Sequence, residues 1–211
     1  MNQPGRKTEW AVWGALLLTT LIIVALFVRS QLERRYLIDL RPIAQIPDFD
    51  LVNQDGRKFS LADLRGNVWV GDIIFTRCGG PCPTMTKQMR GLQDILPADK
   101  PVKLVTLTTD PEFDRPEILK RYGEKAGFDA ARWNFLTGNK EQIARVAVDG
   151  MKLTAMEKSP SERGNERDLF IHSTLFVLVD KRGRLRGAVE SDDPEMARKV
   201  SLAVKRLLKE K

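Results

Sequence analysis

From Trp10 to Val28 the chain carries no charge (WAVWGALLLTTLIIVALFV), and this run reaches the ~20 apolar residues that cross ~30 Å of hydrocarbon. It predicts a membrane helix, preceded by a short tail, residues 1–9, and followed by a polar stretch, Arg29 to Gln45, expected to act as a stalk punctuated by Pro42 and Pro47. The globular part, 46–211, opens with two short alternating segments around Asn53-Gln54-Asp55-Gly56, a hairpin signal. VWVGDIIF, Val68 to Phe75, reads as a buried strand, and Met85, Met89, Leu92 and Leu96 follow at helical spacing behind Pro83. Val102 to Thr109 predicts a second strand, Asp114 and Pro116 open a helix that closes near Gly127, and Asn139 to Val148 supplies another. Lys158 to Asp168 is too polar to pack and predicts an exposed loop. Strands at Thr174 to Asp180 and Arg184 to Val189 and a helix complete the chain. That helix is expected to be capped by Asp193, with Pro194 as its first residue, and to bury Met196, Val200, Ala203 and Leu207. This order is α/β, a mixed sheet with helices on both faces.

Composition adds one core's worth of hydrophobic residues, 42% of 211, and hence one domain beyond the anchor. The apolar run exceeds a signal-peptide core and is followed by no small-x-small cleavage site, so an uncleaved anchor is expected, with Trp10 and Trp13 in an interfacial belt. The net charge of +7 is spread among 28 acidic residues, without the clustered basic and aromatic pattern of a nucleic-acid surface. Arg29, Arg34, Arg35 and Arg41 after the run outweigh Arg6 and Lys7 before it, which by charge alone would keep the domain cytoplasmic.

Both cysteines lie in one loop, IIFTRCGGPCP, directly after the first buried strand. A bridge between Cys78 and Cys82 would close a loop far shorter than the ~15 residues worth ~3 kcal/mol, so a structural staple stabilises little; residues four apart in a helical turn can still be bridged reversibly. Cys82 is expected at a helix N-terminus, whose dipole favours a thiolate there, with Arg77 adding positive charge beside Cys78. His172, the single histidine, is expected at the mouth of a strand in the same sheet. Two thiolates and an imidazole form a soft three-coordinate set suited to Cu(I); zinc would ask for a fourth ligand, such as Asp168 or water. Asp72 falls on the face of Val70 and Ile74 as a buried proton acceptor or a hydrogen-bonded core carboxylate. Met85 and Met89 at helical spacing are core residues more readily than copper ligands.

Four strings in order resemble the Sco/SenC family of membrane-anchored copper proteins: Phe75-Thr76-x-Cys78-x-x-x-Cys82-Pro83, Thr108-Thr109-Asp110-Pro111-Glu112-x-Asp114-x-Pro116-Glu117, Trp133-x-Phe135-Leu136-Thr137-Gly138 and His172-Ser173-Thr174. The resemblance implies a thioredoxin-like fold, with Cys78, Cys82 and His172 as copper ligands. It also implies delivery of copper to, or reduction of cysteines in, the copper-site subunit of cytochrome c oxidase. Thioredoxins carry an aspartate where Asp72 stands, and the family places Asp110 in a loop near the metal, so both are candidate supporting residues. Gly79-Gly80-Pro81 departs from the family's usual proline, aspartate and aliphatic residue between the cysteines, and Ile171 stands where an aspartate is usual. The family's orientation puts the domain on the extracytoplasmic, periplasmic side, against the flanking charge; redox-active thiols and an exported copper site both require that face.

Two functions follow. A metallochaperone, rather than an enzyme, would hold one copper between the three ligands and pass it on. A membrane-anchored thiol-disulfide oxidoreductase would use Cys78 and Cys82 as a redox pair without His172. A peroxide-reducing enzyme of similar fold would need a Pro-x-x-x-Thr-x-x-Cys string, and none precedes Cys78.

Overall fold

Helix α1 (Arg6–Arg34) contains the uncharged run, and Trp10–Val28, with a mean hydropathy of 2.6, is long and apolar enough to cross a membrane. The computed structural model describes residues 6–34, 37–162 and 169–210, and the chain divides into a first unit ending at Leu37 and a second, Ile38–Lys211.

The second unit is built on strands β1 (Ala44–Gln45), β2 (Asp50–Asn53), β3 (Lys58–Ser60), β4 (Val68–Ile74), β5 (Val102–Thr108), β6 (Trp133–Thr137), β7 (Ala155–Glu157), β8 (Phe170–His172), β9 (Leu175–Val179) and β10 (Arg184–Glu190). Its helices are α2 (Cys82–Ile95), α3 (Pro116–Ala126), α4 (Lys140–Ala144) and α5 (Met196–Lys209). Eight strands form one sheet in the order β1-β10-β9-β4-β5-β6-β2-β3, and β7 pairs with β8 alone. β4, β5 and β6 run parallel and the other pairs antiparallel. The expected mixed α/β sheet is therefore present.

Every residue of β4 is buried, because a central strand with helices on both faces of its sheet has no reason to alternate. On one face Val68, Val70, Leu104 and Phe135 meet Met85, Met89 and Leu92 of α2, Leu119 of α3 and Val200, Ala203 and Leu207 of α5. On the other, Trp69, Ile73, Val105 and Leu107 meet Ile143, Val146 and Ala147 from α4 and the π-turn Arg145–Gly150 that extends it, and Met151 just after that turn. Met85 and Met89 are thus core residues, fully enclosed.

The hairpin at Asn53 to Gly56 forms, with Gly56 at φ 72°, a left-handed conformation that costs glycine nothing. Helix α3 ends at Gly127 in the same region, φ 73°. Three expectations change. Trp133–Thr137, read only as a motif string, is a fully buried strand of the main sheet. The last helix begins at Met196 instead of Pro194, after a turn in which the Asp193 carbonyl accepts the Met196 amide at 2.9 Å and the Asp193 carboxylate accepts the Glu195 amide at 2.8 Å. Part of the segment read as a stalk, from Ile38 to Gln45, lies against the domain: Leu40 is buried and β1 pairs with β10.

Candidate metal and thiol site

The site forms where β4 gives way to α2. Phe75 continues the strand's burial, the loop turns at Cys78, whose amide donates to the Phe75 carbonyl at 3.2 Å, and the Pro81 carbonyl accepts the first helical bond from Met85 at 3.0 Å. Pro83 fits the first turn of α2 because its missing N–H would have had no helical partner.

The two sulfurs differ. Cys82, the first residue of α2, is fully buried, whereas Cys78 is half-buried and its Sγ accepts the Gly80 amide at 3.3 Å. No disulfide joins them. The Cys82 thiol is pushed well above its ordinary pKa, first by the hydrogen bond it shares with Cys78 and then by burial. The expected Cys82 thiolate is therefore corrected: a helix dipole at one end cannot offset desolvation together with a neighbouring sulfur. Arg77 is also committed elsewhere. Its guanidinium pairs with Asp110 Oδ2 at 2.6 Å and lies 4.1 Å from the centre of the Phe113 ring.

Cys82, Ile74 and Phe75 form a small apolar cluster against which Cys78, Tyr122, Leu169 and Phe170 pack. Phe170 meets Phe75 edge-on with ring centroids 5.1 Å apart. This contact carries β8, and with it the backbone of His172, toward the cysteine loop. His172 closes β8 opposite Ala155 in the separate two-stranded sheet, three residues before the main-sheet strand β9 opens at Leu175. The His172 side chain and Asp168 lie outside the described residues. Among the described residues no group of three His, Cys, Asp or Glu side chains gathers as a metal site.

Asp72 is fully buried beneath the loop and accepts a hydrogen bond from Thr106 Oγ1 at 2.6 Å, while Thr106 in turn accepts from Trp133 Nε1 at 2.9 Å. Its negative charge helps to raise Cys82 and Tyr122. Tyr122 is pushed up to about 12, mainly by burial, and shares a hydrogen bond with Thr86 at 2.8 Å.

The sequence reading missed Asp114, taken there as a helix opener. The carboxylate instead accepts from the Thr76 amide at 3.0 Å and from the hydroxyls of Thr76 and Thr108. Burial raises its pKa against these bonds. Its position inside a string with Thr108 and Asp110 was the available signal. Beside the start of α2 runs a groove of about 600 Å³ lined in part by Pro81, Thr84, Gln88, Thr174 and Asp192.

Residues 41–209 match the SCO1/SenC family model. The SCO1 protein homolog of Bacillus subtilis is 36% identical over 143 residues, covering 67% of this chain and 71% of that protein. A Stutzerimonas stutzeri protein named for copper binding is 34% identical over 150 residues, covering 69% of each. The solved structure of BsSco, described as having a disulfide switch and as a member of the Sco family of cytochrome c oxidase assembly proteins, superposes with a TM-score of 0.70 at 30% identity, covering 82% of this chain and 100% of that one. The α/β domain is accordingly thioredoxin-like, and the chain belongs to the SCO1/SenC family.

Proposed function

We propose that the domain binds one copper ion through Cys78, Cys82 and His172 and delivers it to the copper-site subunit of cytochrome c oxidase. Trp10–Val28 anchors the chain in the membrane and holds the domain on the periplasmic side. The observation that carries this reading is the cluster in which both cysteines pack with Phe170, two residues before His172. The donor types suit the cargo: two thiols in hydrogen-bond contact on one short loop, with a histidine as the third donor on a strand whose Phe170 packs on Phe75, make a soft set for Cu(I). The copper-binding name of one relative and the oxidase-assembly role of another support the same cargo and recipient.

Loading the detergent-solubilised chain with Cu(I) tests this reading. One copper per chain is expected, with at least tenfold weaker binding in His172→Ala. A stoichiometry well below one, or wild-type affinity in that variant, contradicts it.

The asymmetry of the sulfurs favours a second reading, reduction of a partner's disulfide. The accessible Cys78 thiolate attacks one partner sulfur and releases the other as a thiolate. Cys82 then loses its proton and attacks Cys78 Sγ, which releases the second partner thiol and leaves the Cys78–Cys82 disulfide. Two electrons pass to the partner. The same dithiol serves both functions, and only the copper role needs His172.

A further inference from the structure

Asp114 lies just outside Arg115, the N-cap position of α3 where an aspartate ordinarily caps a helix. Here α3 begins without any side-chain cap, and the carboxylate turns away from the helix into the protein. It is fully buried, which costs a carboxylate dearly unless donors satisfy it. Three do. The Thr76 amide reaches Oδ2 at 3.0 Å, the Thr76 hydroxyl reaches Oδ1 and the Thr108 hydroxyl reaches Oδ2. Two of these donors belong to the residue two positions before Cys78. The third lies at the end of β5, where Thr108 Oγ1 also accepts the Asp110 amide at 2.9 Å. The Asp114 amide closes the same loop on the Asp110 carbonyl at 2.8 Å, and Asp110 holds Arg77 at 2.6 Å. The two residues immediately before Cys78 are thus pinned to the β5–α3 loop, one by each carboxylate, while Cys82 is fixed separately by burial at the start of α2.

We infer that Asp114 is a positioning residue for the thiol pair: by gripping Thr76 at both its amide and its hydroxyl, it sets where Cys78 stands relative to Cys82. This inference rests on the reading that the two cysteines are the working groups, and it is independent of whether copper is their cargo. Loosening the grip lets Cys78 wander from a Cys82 that stays in place. The effective concentration of one sulfur for the other then falls, and the disulfide becomes the less favoured state.

The test equilibrates the metal-free chain with mixtures of oxidised and reduced glutathione. Each disulfide formed gives up two electrons and two protons and converts one oxidised glutathione into two reduced ones. Asp114→Asn retains the size of the side chain and removes the charge that accepts three donors. It is expected to shift the equilibrium at least tenfold toward the dithiol, which corresponds to about 30 mV, and to leave the far-ultraviolet circular dichroism unchanged. Thr76→Val removes one donor from the same carboxylate and is expected to shift it about threefold, and combining it with Asp114→Asn should add nothing further. A folded Asp114→Asn chain within twofold of wild type overturns the inference. If Asp114→Asn does not fold, Thr76→Val decides alone, and an unshifted equilibrium overturns it. A chain that binds no copper yet shows these shifts would sink the copper proposal and leave Asp114 in this role.

Discussion

At the scale of single residues, the sulfur chemistry follows from the hydrogen bond the two thiols share and from their difference in burial. Cys82 is enclosed and keeps its proton because a neighbouring sulfur and an apolar surrounding both disfavour charge, whereas Cys78 reaches solvent and takes a backbone amide. A metal bound by both sulfurs must displace the Cys82 proton, so affinity rises with pH throughout the range below that raised pKa, by about tenfold per unit for each proton released. Competition for Cu(I) against a chromogenic chelator at pH 6 and pH 8 is expected to show tighter binding at pH 8; equal affinity would mean that Cys82 does not ligate as a thiolate. The identities of the two cysteines and of Asp72 as a buried carboxylate were legible in the sequence, because their spacing and strand alternation are local. The protonation of Cys82 was not, since it depends on Phe75, Ile74 and Cys78 closing around it. Nor was the grip of Asp114, which reaches back across the sheet to Thr76.

At the scale of elements, those whose signal lies within their own residues matched expectation. The hairpin turning at Gly56, the amphipathic α2 with Met85, Met89 and Leu92 on one side, and the αL end of α3 at Gly127 all carry that signal in a short window. Others needed tertiary knowledge. Trp133–Thr137 is a strand because it lies beside β5 in parallel register, Leu104 opposite Trp133, and five residues with Asn134 and Thr137 among the apolar ones do not by themselves separate strand from helix. β7 and β8 make only a two-stranded sheet, a unit of marginal stability in isolation. Among the described residues it is attached through the Phe75–Phe170 contact, through Leu169 packed on the same cluster and through the Lys140–Glu157 ion pair, so the position of His172 depends on packing that no periodicity in residues 155–172 announces.

At the scale of the molecule, the entry of the chain into the domain and its exit are fastened at one buried side chain. Arg186 donates to the Leu40 carbonyl, to Asp180 at 2.8 Å and to Glu210 at 2.6 and 2.9 Å. Burial would raise Asp180, but hydrogen bonds from Arg184 and Arg186 outweigh it and lower its pKa, and the bond from Arg186 lowers Glu210. Both carboxylates have folded values below their unfolded ones, so their contribution to stability is complete above the ordinary ~3.9 and ~4.3 and is lost as pH falls through the lower folded values. Arg186→Met leaves Asp180 with one fewer partner in a buried place and is expected to cost about 3 kcal/mol at pH 7 in urea unfolding. The gap between variant and wild type should narrow below pH 4; a constant gap would contradict the charge pairing. This fastening holds the domain's outer end, while the copper proposal turns on the thiol loop and β8. X-ray absorption of the Cu(I)-loaded full chain tests that claim most directly: two sulfur ligands and one nitrogen ligand are predicted, with the nitrogen lost in His172→Ala, whereas a shell without nitrogen in the wild-type chain, or one unchanged in the variant, would contradict it.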